Sequence, residues 1–146
     1  MVAKGVIAYA DGICMIDHMK PKILIIEDEA ALLSIYAILL AEQGYEVETA
    51  ANGRDGYEKI HAGGYDLVLL DIIMPFMNGK EIMQKLTEQG GPVLPNKAVV
   101  LLTNLTDMIM IDEIEKMGAQ GYLLKSEYTP DVFIEEVKKF LPSKSS

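Results

Sequence analysis

Short apolar runs recur along most of the chain, and each is followed by a polar or turn-forming segment. Such runs occupy residues 23–26, 67–70, 98–102 and 121–124. Unbroken apolar runs of this length are typical of strands that are buried on both faces of a parallel sheet. Residues 45–50 instead alternate apolar and polar side chains. This pattern indicates a strand with one solvent-exposed face, which lies at or near a sheet edge. The pattern therefore predicts five strands.

Helical spacing of apolar residues fills the intervals between these strands. Three of the helices are predicted to be capped by Asn52, Asn78 and Thr106. Gly44 stands just past the first helix, where a residue in the left-handed conformation commonly ends a helix. Pro130 is expected in the first turn of the last helix. The predicted helices cover residues 29–43, 52–61, 80–89 and 106–117, and a fifth begins after 129–131.

This regular alternation of strand and helix indicates the fold class. Parallel strands joined by helices need right-handed crossovers, and apolar strands need helices on both faces of the sheet. We therefore expect an α/β, three-layer, doubly wound (βα)5 domain with a five-stranded parallel sheet. The expected strand order is the flavodoxin-like 2-1-3-4-5, with the switch point between the first and third strands.

The first 20 residues do not fit this repeat. Two strand-like runs, 6–10 and 13–16, flank Asp11-Gly12, which is a hairpin turn signal, while Met19 resembles a natural start of a chain. The segment is therefore either an added hairpin or a dispensable leader. The expected organisation is an N-terminal extension over 1–20, the main domain over 21–142 and a tail over 143–146.

Composition narrows the class of protein. A chain of 146 residues that is half apolar suits one domain with a full hydrophobic core, and a single cysteine cannot form an internal disulfide. The net charge of −9 argues against nucleic-acid binding, which depends on Lys and Arg neutralising phosphates. No stretch reaches the roughly 20 apolar residues that a membrane span needs. We therefore expect a cytoplasmic protein that contacts neither membrane nor nucleic acid.

Polar residues stand just past the carboxyl ends of four predicted strands. They are Glu27 and Asp28 after the first, Asp71 after the third, Thr103 after the fourth and Lys125 after the fifth. Clustered carboxylates suit Mg²⁺, which takes one or two of them together with a phosphate oxygen. Asp71 can then act as a carboxylate nucleophile toward a phosphoryl group, whose oxygens Lys125 and Thr103 can hold.

This ordered set resembles the receiver domain of two-component response regulators over roughly residues 21–141. The matching pieces are Glu27-Asp28, the segment 71–75, Asn78-Gly79, Thr103 and the segment 121–125. The resemblance implies a phosphorylation-dependent switch that takes a phosphoryl group from a sensor histidine kinase or histidine phosphotransfer protein. It implies no enzymatic activity beyond the domain's own phosphorylation and slow autodephosphorylation.

The resemblance also implies roles for individual residues. Asp71 is the expected phosphoacceptor, and Lys125 is expected to pair with the phosphoryl group. Thr103 and Tyr122 are expected to form the switch that responds to phosphorylation. The expected metal-binding residues are Asp28, which binds Mg²⁺ directly, Glu27, which binds it through water, Asp71, and Ile73, which binds it through its backbone carbonyl.

Several residues depart from the family pattern. Glu27 stands where an aspartate is usual, and Ser126 follows Lys125 where the family has a proline after a cis bond. Asn104 is larger than the small residue often found after the switch threonine, so it can crowd or hydrogen-bond the phosphoryl group. Ile73 and Leu105 hold the two places that orient hydrolytic water. Because both are apolar, we predict a long-lived phosphoaspartate.

The helix 106–117 carries more apolar positions than one buried stripe requires. Two interpretations stay open: broad burial under the N-terminal extension, or an exposed docking face. The resemblance places the contact with a downstream protein target on the fourth helix, fifth strand and fifth helix, and it leaves homodimer formation open. No output domain is expected in this chain, so the protein acts through partners or is part of a larger regulator or hybrid kinase.

Two other functions compete with this interpretation. One is a non-phosphorylated pseudo-receiver that only binds partners. The other is an aspartyl-phosphate phosphatase, but such enzymes normally carry a second acid two residues after the nucleophile. That position is Ile73 here.

Overall fold

The computed structural model describes residues 20–90, 96–104, 107–125 and 128–141, together with the backbone of two short strands, 6–8 and 14–16. The strands are β1 Val6–Ala8, β2 Cys14–Ile16, β3 Lys22–Ile26, β4 Glu46–Ala50, β5 Leu67–Asp71, β6 Val99–Thr103 and β7 Gly121–Leu124. The helices are α1 Ala30–Glu42, α2 Gly53–Ala62, α3 Gly79–Glu88, α4 Met108–Lys116 and α5 Pro130–Lys138.

The central sheet has the strand order β4-β3-β5-β6-β7, and all neighbouring strands in it are parallel. Because β3 is the first strand of the repeat, this is the predicted order 2-1-3-4-5, which is confirmed. The alternating strand β4 lies at an edge, as its pattern predicts. The strands β1 and β2 pair antiparallel in a sheet of their own, with Val6 opposite Ile16. The predicted turn Asp11-Gly12 lies outside the described residues.

Each face of the central sheet carries its own hydrophobic core, because successive side chains of a strand point to opposite faces. Leu24 and Ile26 of β3 pack with residues of α2, α3 and α4. Ile23 and Ile25 pack with residues of α1 and α5. The predicted three-layer arrangement is therefore confirmed. Among the described residues, no helix is long and apolar enough to cross a bilayer.

Most predicted helix ends are confirmed. The Asn52 side chain accepts a hydrogen bond from the Asp55 N–H at the start of α2. Asn78 forms a capping box with Glu81 at the start of α3. Gly44 follows α1 with a φ of 90°, the left-handed conformation that glycine tolerates.

The start of α4 differs from the prediction. Asp107 caps this helix, and its Oδ1 accepts hydrogen bonds from the N–H groups of Ile109 and Met110 at 3.1 and 3.2 Å. The predicted cap, Thr106, lies outside the described residues. An aspartate caps well because its carboxylate accepts hydrogen bonds from two free N–H groups. Its negative charge also interacts favourably with the positive end of the helix dipole.

The surplus apolar residues of α4 are divided between core and surface. Ile111 and Ile114 are fully buried, whereas Met108 is 53% and Ile109 75% exposed. Of the two interpretations left open by the sequence, broad burial of this helix is wrong, since two of its large apolar side chains are exposed.

Candidate functional site

The carboxyl ends of β3, β5, β6 and β7 meet at one edge of the central sheet because these strands are parallel. Four of the five polar residues predicted at the strand ends line an open cavity of about 470 Å³ at this edge, whereas the fifth, Thr103, lies at the same edge without lining the cavity. The cavity is lined by Glu27, Asp28, Glu29, Asp71, Ile73, Asn104 and Lys125.

Asp71 lies at the floor of this cavity as the last residue of β5, and only 3% of it is exposed. Its Oδ1 accepts a hydrogen bond from the Ile73 N–H at 3.3 Å. Behind it, a Cβ added to Gly79 would lie 2.7 Å from the Asp71 carbonyl oxygen. Glycine at this position therefore allows α3 to begin directly against the strand that carries the acid.

Lys125 joins two acids that lie on different strands. Its Nζ donates to Glu27 Oε2 at 2.6 Å and to Asp71 Oδ2 at 3.2 Å. The lysine side chain is 8% exposed, and that of Glu27 is 1% exposed. The second oxygen of Glu27, Oε1, accepts the Glu29 N–H at 3.1 Å. Both oxygens of Glu27 therefore have partners within the protein.

The three acids are close enough to share a cation. One carboxylate oxygen from each of Glu27, Asp28 and Asp71 lies within 4.8 Å of the others. Among the described residues, Lys125 is the one cation paired with this cluster, so three acids face one ammonium group. Hard oxygen donors with this charge fit Mg²⁺.

Burial and like charge change the acidity of this cluster. Burial raises the pKa of Asp71 to about 7, the charge of Glu27 adds to the rise, and Lys125 opposes it. Burial alone would lower the pKa of Lys125, but its hydrogen bond to Glu27 and the charges of Asp71 and Glu27 raise it above the ordinary value. The lysine therefore stays protonated as a counter-ion to the acids.

The two predicted switch residues lie on one face of the sheet. Leu101 pairs with Tyr122 across β6 and β7, and Thr103 follows Leu101 by two residues, which returns to the same face. Thr103 is fully buried, and Tyr122 is partly buried against the core that α2, α3 and α4 share. The Lys125 N–H donates to the Thr103 carbonyl oxygen at 2.9 Å. The threonine thus adjoins both the backbone of Lys125, which lines the cavity, and the strand that carries the tyrosine.

Two departures from the family pattern lie at the mouth of the cavity. Ile73 lines it and is 60% exposed, and Asn104, also exposed, lines it as well. Two other departures, Leu105 and Ser126, lie outside the described residues.

Sequence reasoning missed one residue that lines the site, Glu29, and one that responds to its charges, Tyr36. Glu29 lines the cavity and orients Glu27 through its N–H, and its place in a run of three acids was the available signal. Tyr36 of α1 stacks on Phe133 of α5 with ring centroids 4.6 Å apart. Burial raises the Tyr36 pKa, and the charge of Lys125 lowers it in part. Helical spacing indicates only that Tyr36 faces the core.

Comparison with known proteins gives consistent matches. A sequence profile of the response regulator receiver domain matches residues 23–138. Transcriptional regulatory protein DltR of Streptococcus agalactiae is 34% identical over 104 residues, which are 71% of this chain and 45% of the relative. Sporulation initiation phosphotransferase F of Bacillus subtilis is 31% identical over 128 residues, which are 88% of this chain and 99% of that protein.

Solved structures agree in fold. Chemotaxis protein CheY4 of Vibrio cholerae superposes with a TM-score of 0.73 at 27% identity and covers 84% of this chain and 100% of its own. Response regulator TrrA of Thermotoga maritima, solved in complex with Mg²⁺ and BeF, has a TM-score of 0.69 at 34% identity with the same coverage. The profile spans both the acid loop after β3 and the lysine after β7, so the whole acid–lysine site falls inside the match. The chain therefore belongs to the response regulator receiver domain family and is a phosphorylation-dependent switch domain.

Proposed function

We propose that Asp71 accepts a phosphoryl group from a phosphohistidine on a sensor histidine kinase or histidine phosphotransfer protein. The observation that carries this proposal is the Lys125 ammonium held between Glu27 and Asp71 on the cavity floor. An Asp71 carboxylate oxygen attacks phosphorus, and the P–O bond forms as the P–N bond of the donor breaks. The imidazole nitrogen leaves with the bonding electron pair and takes up a proton.

Mg²⁺ is the cofactor that this donor set suits. Asp28 and Asp71 would hold it directly, Glu27 through water and Ile73 through its carbonyl oxygen. When bound, the ion supplies positive charge that neutralises the acids and the incoming phosphoryl oxygens. Asp28 is exposed, so it can take up this role without first breaking a buried contact.

Lys125 and Thr103 stabilise the charge on the transferred group. The lysine ammonium already lies 3.2 Å from Asp71 Oδ2, so it needs little movement to meet a phosphoryl oxygen. The Thr103 hydroxyl can donate to a second oxygen, and the Asn104 amide at the cavity mouth can donate to a third. Preorganised donors of this kind favour the charge distribution of phosphoryl transfer.

The output of the switch follows from the face that Thr103 and Tyr122 share with α4. Movement of Thr103 toward the phosphoryl group changes the packing beside Tyr122, so the phosphorylated state favours a different surface over α4, β7 and α5. A downstream protein target binds that surface on a single molecule of the domain or on a homodimer.

The domain is a switch rather than an enzyme with a separate substrate, and it acts in the cytoplasm. The chain spans 45% of the length of DltR, so partners of any longer protein belong to this proposal as well.

Labelling with a small phosphodonor tests the phosphoacceptor assignment. Incubation with acetyl phosphate and Mg²⁺ is expected to add one phosphoryl group per chain, detected as a mass increase that Asp71→Asn abolishes. Omission of Mg²⁺ and the Asp28→Ala variant are expected to slow the reaction strongly. Continuous phosphate release would support a phosphatase instead. No adduct, together with no beryllofluoride binding, would support a pseudo-receiver.

A further inference from the structure

The loop between β5 and α3 exposes two large apolar side chains beside the cavity. Ile73 is 60% exposed and Phe76 is 90% exposed, although Ile72 and Met74 in the same loop are buried. We call Ile73 and Phe76 the loop ridge. An almost fully exposed phenylalanine gains no packing energy within the folded chain.

The backbone at Phe76 is strained as well. Its φ is 69°, and among the described residues no other non-glycine residue has a positive φ. The Met77 N–H donates to the Pro75 carbonyl oxygen at 2.9 Å across Phe76. This i to i+2 hydrogen bond around a residue with positive φ is the γ-turn that is rare and strained, and it suits glycine or asparagine far better than an aromatic residue.

The loop is nevertheless held firmly at both sides. A Cβ on Gly53 would lie 1.7 Å from the Met77 carbonyl oxygen, so α2 packs directly on the loop backbone. The Gly79 N–H donates to the Ile72 carbonyl oxygen at 2.8 Å. The strained turn therefore presents the Phe76 ring from a fixed backbone. Strain that persists beside a reactive group and is not repaid by packing is a reason to seek a function for the residue.

Any protein that delivers a phosphoryl group to Asp71 must cover this loop. Asp71 is 3% exposed at the cavity floor, and Ile73 lines the cavity. Three Cα steps separate Ile73 from Phe76, so their Cα atoms lie at most about 11 Å apart. A standard interface buries about 800 Å² per partner, a patch of roughly 16 Å radius. Phe76 thus falls inside the patch that a donor centred on the cavity would cover.

The charge of this chain gives apolar contacts a part in this docking. The chain carries a net charge of −9, and the cavity contributes three acids, while the donor brings an anionic phosphoryl group. The overall charge of the chain therefore opposes the approach of that group, and Mg²⁺ and Lys125 attract it only at short range. Exposed aromatic and branched side chains supply the missing attraction, because their burial is favourable and aromatic residues often dominate interfaces.

We propose that the loop ridge docks the phosphohistidine-bearing donor protein through an apolar surface around its histidine. This proposal rests on the proposed function, because it takes Asp71 as the acceptor. It assigns Phe76 to donor binding and leaves the chemistry to the cavity. A donor protein should therefore depend on Phe76, and a small phosphodonor should not.

The test compares a protein donor with acetyl phosphate. Phosphohistidine domains of the kinases and phosphotransfer proteins from the same genome are labelled with ³²P, and the fastest donor to this chain is chosen. Phe76→Gly is expected to lower its kcat/KM by at least about tenfold, as loss of an interface anchor does. The rate with acetyl phosphate and Mg²⁺ should stay unchanged. The matched control is Ile109→Ala, which removes an exposed apolar side chain from α4 and should leave both rates unchanged.

The outcomes separate the two proposals. Equal transfer to wild type and Phe76→Gly, an equal loss in Ile109→Ala, or labelling by acetyl phosphate but by no protein donor would overturn the loop ridge as a donor site. Glycine suits the turn, so the variant should be at least as stable as wild type, and a folding defect would also contradict the proposal. Self-association that depends on Phe76, with normal transfer, would assign the ridge to a second copy instead. Failure of acetyl phosphate to label Asp71 would contradict the proposed function itself.

Discussion

Glu27 has a local role that goes beyond adding negative charge to a metal site. One of its oxygens accepts from Lys125 and the other from the Glu29 N–H, so the carboxylate is fixed within the protein. The ammonium lies closer to Glu27 than to Asp71, at 2.6 against 3.2 Å. Lys125 can therefore turn toward a phosphoryl oxygen while it keeps its anchor on Glu27.

Ile73 gives a prediction at the same scale. Its apolar side chain lies at the cavity mouth and cannot orient a water molecule for attack on phosphorus. We expect the phosphoaspartate to last minutes or longer, and Ile73→Asn to shorten its lifetime by about tenfold, a modest share of what a positioned polar group contributes. The decay of phosphorylated protein, purified from acetyl phosphate and kept in Mg²⁺, measures both lifetimes.

Ile73→Val is the control for this prediction, because it changes the size of the side chain and adds no polar atom. Its lifetime should match that of wild type. A wild-type lifetime of seconds would contradict the prediction, and so would equal lifetimes for the asparagine and valine variants.

At the scale of elements, the site depends on close contacts between helix starts and the loop after β5. Two buried glycines of α2 show which contacts allow no adjustment. A Cβ on Gly53 would meet the Met77 backbone at 1.7 Å, whereas one on Gly56 would meet side-chain atoms of Ile26 at 2.7 Å. A side chain can rotate away from an intruding methyl group, but a backbone held at both ends cannot.

This contrast predicts different costs for two similar substitutions. Gly53→Ala should destabilise the fold by about 2 kcal/mol or more, as overpacking against backbone does. Gly56→Ala should cost less than about 1 kcal/mol, because alanine improves helix propensity while Ile26 adjusts. Urea denaturation of both variants gives the two free energies of unfolding. A Gly53→Ala variant as stable as Gly56→Ala would show that the loop is not held by α2.

A polar cluster around Tyr65 joins neighbouring strands toward their amino ends, on the side of the sheet away from the cavity. Its hydroxyl donates to Glu48 Oε1 at 3.2 Å, and its N–H donates to Asn96 Oδ1 at 3.1 Å. Burial first, and then the charge and hydrogen bond of Glu48, raise the pKa of Tyr65 from 10.0 to about 12. Lys22 also pairs with Glu48 at 2.8 Å, so the start of β3, the edge strand β4 and the segment before β5 are held together.

This cluster predicts a dependence of stability on alkaline pH. The raised pKa means that the folded state holds the phenolic proton more tightly than the unfolded chain. The contribution is complete below pH 10.0 and is lost as pH rises toward about 12. Urea midpoints measured from pH about 8 to about 11 should therefore fall more steeply for wild type than for Tyr65→Phe. Parallel profiles for the two proteins would contradict the prediction.

At the scale of the whole molecule, the two faces of the sheet have different tasks. Asp71 stands two residues after Leu69, and Lys125 stands two residues after Leu123. Leu69 and Leu123 both belong to the core beneath α1 and α5. Thr103 and Tyr122 lie on the other face, where α4 packs through Ile111 and Ile114. A change at the cavity can therefore reach α4 through Thr103, on the face opposite the core that α1 and α5 share.

This division predicts where phosphorylation changes the dynamics. Beryllofluoride with Mg²⁺ should change amide hydrogen exchange in residues 107–125, which cover α4 and β7, because the bound state favours a different packing of Thr103 and Tyr122. Exchange in β4 and α2 should stay the same. Asp71→Asn, treated identically, is the control and should show no change. Changes confined to the loops that line the cavity would contradict the proposed output surface.

Several features of this protein are determined by its sequence alone. The apolar runs, the alternation in β4 and the caps Asn52 and Asn78 depend on neighbours within a few residues, so local pattern suffices to predict them. The grouping of Asp71, Thr103 and Lys125 also follows, because parallel strands place their carboxyl ends at one edge. The two-core, three-layer architecture is a consequence of the same connectivity.

Other features were decided only by the tertiary structure. The contact of Lys125 with Glu27 joins residues 98 positions apart, and its length depends on strand register and burial that no local pattern encodes. The start of α4 at Met108, capped by Asp107, depends on where the helix packs against the sheet, which the local pattern does not determine. The strained exposure of Phe76 arises because α2 and α3 hold the loop at both sides, and that constraint exists only once the helices pack on the sheet.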